Sequence, residues 1–193
     1  MEYTAENTKR GMKLEFELPL WFTEWEAALP AAFDTDGDAM RAAIEASAIN
    51  IKEKCGGPFG AVAVDSTTRK VVAAGVNLVI SAKSSMLHAE IVCIMRAQKA
   101  VGSHTLKPAK VTLYSSSEPC AMCMGAIPWS GISRIVCAAR DEDVRATGYD
   151  EGRKPADWPA AYSARGIEVT RDFMRDDAAA VLKNYAALGG VVY

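Results

Sequence analysis

Two apolar runs, FGAVAVD at 59–65 and KVVAAGVNLV at 70–79, flank the polar STTR and predict a β-hairpin. Three more short apolar runs predict strands: AKVTLYSS at 109–116, RIVCAA at 134–139 and IEVT at 167–170. Elsewhere the apolar spacing is helical. LWFTEWEAALP at 20–30 predicts a short amphipathic helix stopped by Pro30, and an Ala-rich helix follows over 39–54, with Asp38 as candidate cap and CGGP as its end. A helix is predicted over 87–101, with Ser84 or Ser85 as candidate cap. PCAMCMGAI at 119–127 predicts another, with Pro119 at or before the first turn, where a missing N–H costs nothing. Pro128 is expected to end or kink it. Residues 141–160, rich in Gly, Pro and charge, read as a loop; a last helix spans 173–188, and the chain ends GGVVY. Helix, hairpin, then alternating helix and strand imply an α/β protein. The expected architecture is three-layer α/β/α, a five-stranded mixed sheet with helices on both faces.

Composition adds boundary conditions. A chain of 193 residues, half of them hydrophobic and about a quarter charged, is expected to form a single globular domain over 1–193. No apolar run is long enough to cross a bilayer, and the first twenty residues lack the apolar core of a signal peptide. Five cysteines, an odd number without framework spacing, do not read as a disulfide scaffold. The expectation is a cytoplasmic protein with no membrane contact. Net charge is −2 and no Lys/Arg block stands out, so a nucleic-acid partner is not expected.

The chemistry concentrates in two stretches, SSMLHAEIVC at 84–93 and SSSEPCAMCMG at 115–125. Cys120 and Cys123 share a helical face, so both sulfurs can point at one atom. Alone, this spacing fits a redox pair, a metal site or coincidence. His88 changes the balance, because it supplies a third zinc ligand and leaves the fourth position open, as in a catalytic site. All three residues fall at predicted helix starts, where the helix dipole favours thiolates and neutral imidazole. Residues i and i+2 lie about 200° apart on a helix. His88 and Glu90 therefore reach one site only if the helix begins at or just before His88. Glu90 is then a carboxylate beside the metal and not bound to it, placed to move a proton.

His-x-Glu, a gap and Pro-Cys-x-x-Cys form the zinc deaminase signature. With GGPFGAVAV, AAGVN, LHAE, SSSEPCAMCMGAIPWS and TGYDEG in order, the chain resembles the cytidine deaminase-like superfamily, and within it bacterial guanine deaminases. The resemblance covers a zinc deaminase core at 56–152 and, more loosely, a C-terminal helix and tail at 173–193. Residues 1–50 form an N-terminal extension with helices and carry no resemblance. The family implies one catalytic Zn2+ per chain, held by His88, Cys120 and Cys123, with Glu90 as proton shuttle. It implies Glu151 as a second catalytic carboxylate, and Phe59, Asn77, Tyr149 and Tyr193 as substrate contacts. It also implies a homodimer whose C-terminal segment is swapped, Tyr193 closing the partner's site after the flexible Gly189-Gly190.

The implied reaction is hydrolytic deamination of a nucleobase, guanine to xanthine first. A nucleoside deaminase for guanosine, cytidine or adenosine is the near alternative, then a triazine or pyrimidine deaminase, then a tRNA adenosine deaminase. Of a different class are a non-catalytic zinc-binding domain, in which Glu90 has no task, and a redox protein using Cys120 and Cys123. Bland readings compete at single residues. Phe59, Tyr149 and Tyr193 can be core aromatics, Asn77 a turn residue and Glu151 a solvated loop acid. Cys55, Cys93 and Cys137 read as inert buried thiols, and His104 as a loop residue. DTDGDAMRAAIE at 34–45 lacks the glycine of a calcium loop and reads better as an acidic cap.

Overall fold

A computed structural model describes residues 15–193; residues 1–14 of the N-terminal extension lie outside that range. The elements are α1 (Leu20–Ala27), α2 (Asp36–Lys52), β1 (Gly60–Asp65), β2 (Val71–Val76), α3 (Ala89–Val101), β3 (Val111–Ser117), α4 (Ala121–Ser130), β4 (Arg134–Ala139), α5 (Asp141–Arg145), α6 (Trp158–Ser163), β5 (Glu168–Thr170) and α7 (Arg175–Ala187). The strands form one mixed sheet in the order β2-β1-β3-β4-β5. β1 is antiparallel to both β2 and β3, while β3, β4 and β5 are parallel.

Alternation along the strands splits the core into two layers. Ala61, Ala63, Leu113, Ile135 and Cys137 face α3, α4 and α6, while Val62, Val64, Tyr114, Val136 and Ala138 face α2 and α7. Both faces are covered, so the strands read as continuous apolar runs. The edge strand β2 is covered by α1. There Glu26 accepts from the Ala74 N–H at 3.3 Å, and Arg96, paired with Glu26, donates to the Ala74 carbonyl at 2.7 Å.

The topology decides where chemistry can assemble. Because β1 opposes both neighbours, β2 and β3 run in the same direction and finish at one edge of the sheet. α3 and α4 both begin from that edge, on the same face. β4, parallel to β3, ends there too, and the segment after it carries Tyr149 and Glu151. β1 starts there, which puts Phe59 at the same rim. Gly75 allows α3 to lie close: a Cβ on it would come 2.5 Å from the Cys93 amide nitrogen.

Several local expectations are corrected. The cap of α2 is Thr35, not Asp38; Asp38 is its partner in a capping box, accepting from the Thr35 N–H at 3.0 Å while its own N–H donates to Thr35 Oγ1 at 3.2 Å. Asp36, in the calcium-like stretch, accepts from Tyr114 Oη at 2.6 Å and from Arg69 and Arg134 at 2.8 Å each. The 141–160 stretch contains α5 and the start of α6. α4 does not stop at Pro128 but runs to Ser130. Proline removes the N–H that would bond the Met124 carbonyl. Tyr162 of α6 replaces it, its hydroxyl donating to Met124 O at 2.8 Å in a buried position.

Two outcomes follow from these contacts. Tyr162→Phe leaves the Met124 carbonyl unsatisfied and is expected to cost about 1–3 kcal/mol in urea unfolding; in a Pro128→Ala background the cost falls, because the helical N–H returns. Burial pushes the Asp36 carboxyl up, but the hydrogen bonds from Tyr114, Arg134 and Arg69 outweigh it and hold the group down at about 2, against 3.8 unperturbed. A depressed carboxylate stabilises the fold fully above its unfolded value and loses that contribution as pH falls through the folded one. Asp36→Asn is therefore expected to cost about 1–2 kcal/mol at neutral pH, discounted for its partial exposure. The gap to wild type should narrow as pH falls from 3.8 toward about 2.

Candidate active site

His88 is the N-cap of α3, with extended backbone (φ −69°, ψ 157°), and Cys120 is the N-cap of α4 in nearly the same conformation (φ −63°, ψ 169°). Neither Ser84 nor Ser85 caps α3. With His88 just outside the helix and Glu90 in its first turn, the two side chains escape the mid-helix angle that would separate them. Cys123 sits one turn into α4, buried, beneath Cys120.

His88, Cys120 and Cys123 form the one group of three potential metal ligands found among the described residues, their ligand atoms all within 4.8 Å of one another. His88 Nδ1 lies 3.5 Å from Cys120 Sγ. In a zinc tetrahedron with ordinary Zn–S and Zn–N bonds, two ligands stand about 3.5–3.8 Å apart. The contact has the length of an edge of such a tetrahedron, so this donor set fits zinc.

The electrostatics suit a cation. The Cys120 thiol is pulled down to about 4, first by the hydrogen bond from Cys123 and then by His88, while Cys123, as the donor, is pushed up. The pair holds one proton between two sulfurs, which a bound cation would displace. Burial alone would lower His88, but the hydrogen bond with Cys120 and the charge of Glu90 hold it above its ordinary value. Glu90, only 5 % exposed, is pushed up to about 7 by burial and by the neighbouring Cys120 thiolate.

These groups open into a cavity of about 190 Å³. Phe59, His88, Glu90, Cys120, Tyr149, Glu151 and Tyr193 all line it, so eight of the nine residues singled out from the sequence come to one place once Cys123 behind Cys120 is counted. Phe59 and Tyr149 meet edge to face at 5.1 Å, and Tyr193 meets Tyr149 at 5.3 Å. Glu151 is buried; burial raises its carboxyl against the lowering influence of Lys154. Asn77 is the exception. It is fully buried behind the wall, its Oδ1 accepting from the Gly57 and Val79 N–H groups, while its Nδ2 makes no hydrogen bond of normal geometry.

The tail reaches the cavity of its own chain. Gly189 turns it back with φ +68°, and the Val191 carbonyl accepts from the Tyr185 and Tyr149 hydroxyls at 2.9 and 3.3 Å. Gly190 lies flat on Tyr185, where a Cβ would come 2.3 Å from the ring. Gly57 had no signal of its own beyond its glycine pair, yet a Cβ there would meet the Tyr193 hydroxyl at 2.8 Å and the Tyr149 hydroxyl at 3.0 Å. Asn50, also unforeseen, donates from Nδ2 to the Gly57 and Asn77 carbonyls and so fixes the rim. Of the remaining cysteines, Cys93 and Cys137 are buried as expected, but Cys55 is only half-buried.

A sheet of this topology, with a thiolate–imidazole cluster and an unligated buried acid at two helix starts, defines a metal-dependent hydrolase of the zinc deaminase class. Residues 34–139 match the cytidine and deoxycytidylate deaminase zinc-binding region, and the chain belongs to that family. The match takes in α2. The guanine deaminase of Bacillus subtilis (strain 168) is 34% identical over 123 residues, covering 63% of this chain and 76% of that protein. A tRNA-specific adenosine deaminase of Buchnera aphidicola subsp. Schizaphis graminum is 30% identical over 128 residues, covering 66% and 79%. The solved guanine deaminase of Nitrosomonas europaea superposes with a TM-score of 0.86 at 36% identity, covering 91% of this chain and 97% of that one. No helix among the described residues is long and apolar enough to cross a membrane.

His88→Ala and Cys123→Ala are each expected to cut zinc content by elemental analysis to below about a tenth of wild type. Full zinc in either variant would remove that residue from the ligand set.

Proposed function

We propose that this protein hydrolytically deaminates guanine to xanthine and ammonia, using one zinc ion per chain held by His88, Cys120 and Cys123. The carrying observation is a pair of buried carboxylates, Glu90 and Glu151, in the wall of a cavity of about 190 Å³ beside that ligand set. The volume is below the roughly 300 Å³ at which pockets for drug-sized ligands begin, and suits a bare base better than a base carrying ribose. The likeness to two guanine deaminases supports the same choice.

Zinc bound there supplies Lewis-acid activation of a water molecule. Glu90 would carry both protons of that water in turn, one to ring nitrogen N3, where it stays, and one to the departing amine. The water oxygen bonds to C2, the bond from C2 to the amino nitrogen breaks, and guanine plus water becomes xanthine plus ammonia. Phe59 packs against the ring face, with Tyr149 and Tyr193 completing an apolar wall that excludes bulk water. Glu151 can only accept hydrogen bonds when ionised, so it recognises an N–H group of the base. Asn77, behind the wall, acts on the site through the Tyr193 hydroxyl that its amide neighbours.

Assembly as a homodimer belongs to the same proposal. In that assembly the C-terminal segment is exchanged between subunits, so that the place Tyr193 takes in the cavity of its own chain would be filled by the partner's tail. Five free cysteines support a reducing, cytoplasmic setting.

Ammonia release from guanine, guanosine, cytosine, a triazine and tRNA separates the readings. Guanine is expected to react, with guanosine slower by a factor of at least about 100, given the pocket size. Turnover of the nucleoside or of tRNA alone would overturn the free-base reading. Glu90→Gln should keep its zinc and lose about 10²–10⁴-fold in kcat; if neither wild type nor variant releases ammonia from any of these, the domain is non-catalytic.

A further inference from the structure

A chain of charges lies behind Glu151 that the reaction as described does not use. The Lys154 side chain is only 8 % exposed, although it comes from a loop. Its Nζ lies 2.9 Å from Glu151 Oε2 and 2.5 Å from Asp141 Oδ1, a buried ammonium between two carboxylates. Asp141 is itself held. Its Oδ2 accepts from Arg145 Nε at 2.6 Å, and its backbone N–H donates to Glu118 Oε2 at 3.1 Å. Glu118, two residues before Cys120, is anchored by Arg171 Nε at 2.5 Å. Arg145 also donates to the Gly152 carbonyl at 2.5 Å, and the Glu151 carbonyl accepts from the Ala121 N–H at 2.9 Å.

Lysine is rarely buried unless paired, and taking its ammonium out of water is costly. On a loop, the default is for it to extend into solvent. Here it turns inward and occupies Oε2 of Glu151, while Oε1 makes no hydrogen bond among the described residues. We propose that Lys154 is a positioning residue for Glu151: its ammonium holds one carboxylate oxygen and ties it through Asp141 to the start of α5, leaving the other oxygen as a fixed acceptor for the base. This rests on the role given to Glu151 above. A carboxylate in a low-dielectric site is a far better acceptor when its orientation is set beforehand than when it must reorganise on binding.

A double-mutant cycle tests it. K154M is expected to lower kcat/KM by at least about tenfold, the scale of a charge-assisted hydrogen bond, with zinc content unchanged. K154R should restore part of the loss. In an E151Q background, K154M should change kcat/KM by less than about twofold, since the group it positions is gone. Wild-type kcat/KM in K154M overturns the proposal, as does an equal loss with and without Glu151. If wild type spares guanine but deaminates another ring, the substrate reading fails and the cycle is run on that ring. Amide hydrogen exchange over residues 149–153 needs no substrate: exchange at least about tenfold faster in K154M is expected, and unchanged exchange overturns the tie to α5.

Discussion

The structure depends on two helices beginning at one point. α3 and α4 each present, at the N-terminus, backbone N–H groups without helical partners and the positive end of a dipole. That environment favours a thiolate at Cys120 and, before any metal is considered, already biases the cluster toward holding a cation. The convergence is a property of the sheet. β1 opposes both its neighbours, so β2 and β3 deliver their following helices from the same edge. Close approach then needs a strand without a side chain in the way, which Gly75 provides.

Burial at that point creates a charge problem, and the surrounding chain answers it. Glu90, Glu151 and the Cys120 thiolate are all negative or poised to be, and all are withdrawn from water, with Glu118 buried nearby. Like charges in a dry site raise one another's affinity for protons. Lys154 offsets Glu151, Arg171 and Arg140 offset Glu118, and zinc, when bound, offsets the sulfurs. Among the described residues Glu90 forms no salt bridge, which fits a group that must gain and lose a proton. The network also joins β4, α5 and the loop bearing Tyr149 to the helix bearing the cysteines, so recognition and chemistry share one frame.

The lid of the site is aromatic. Tyr185 of α7 and Tyr149 of the loop stack at 6.3 Å and both donate to the Val191 carbonyl, which sets Tyr193 over the cavity. Two hydroxyls converging on one carbonyl near the chain end give a short tail a defined path. Glycines at 57 and 190 leave room for the rings.

Local chemistry made much of this legible before any fold was known. Strand periodicity gave β4 at its observed bounds, because alternation in a sheet covered on both faces leaves a compact apolar run. His88 with Glu90, and Cys120 with Cys123, were readable as candidates because the spacing within each pair and its place at a helix start are short-range. The sequence by itself thus determined the strands, the longer helices and their order, since each depends on residues within about one helical turn, whereas α5 and the start of α6 read as loop and the meeting of His88 with the cysteines waited on the sheet. Tertiary structure alone decided what depends on distant partners. Pro128 continues its helix because Tyr162, far along the chain, satisfies the Met124 carbonyl. Asn77 recedes behind the wall because Gly57 and Val79 claim its oxygen. Lys154 turns inward because two carboxylates, one from the start of α5, meet there. Such contacts couple residues whose separation in sequence carries no period, and only the closed sheet brings them within reach.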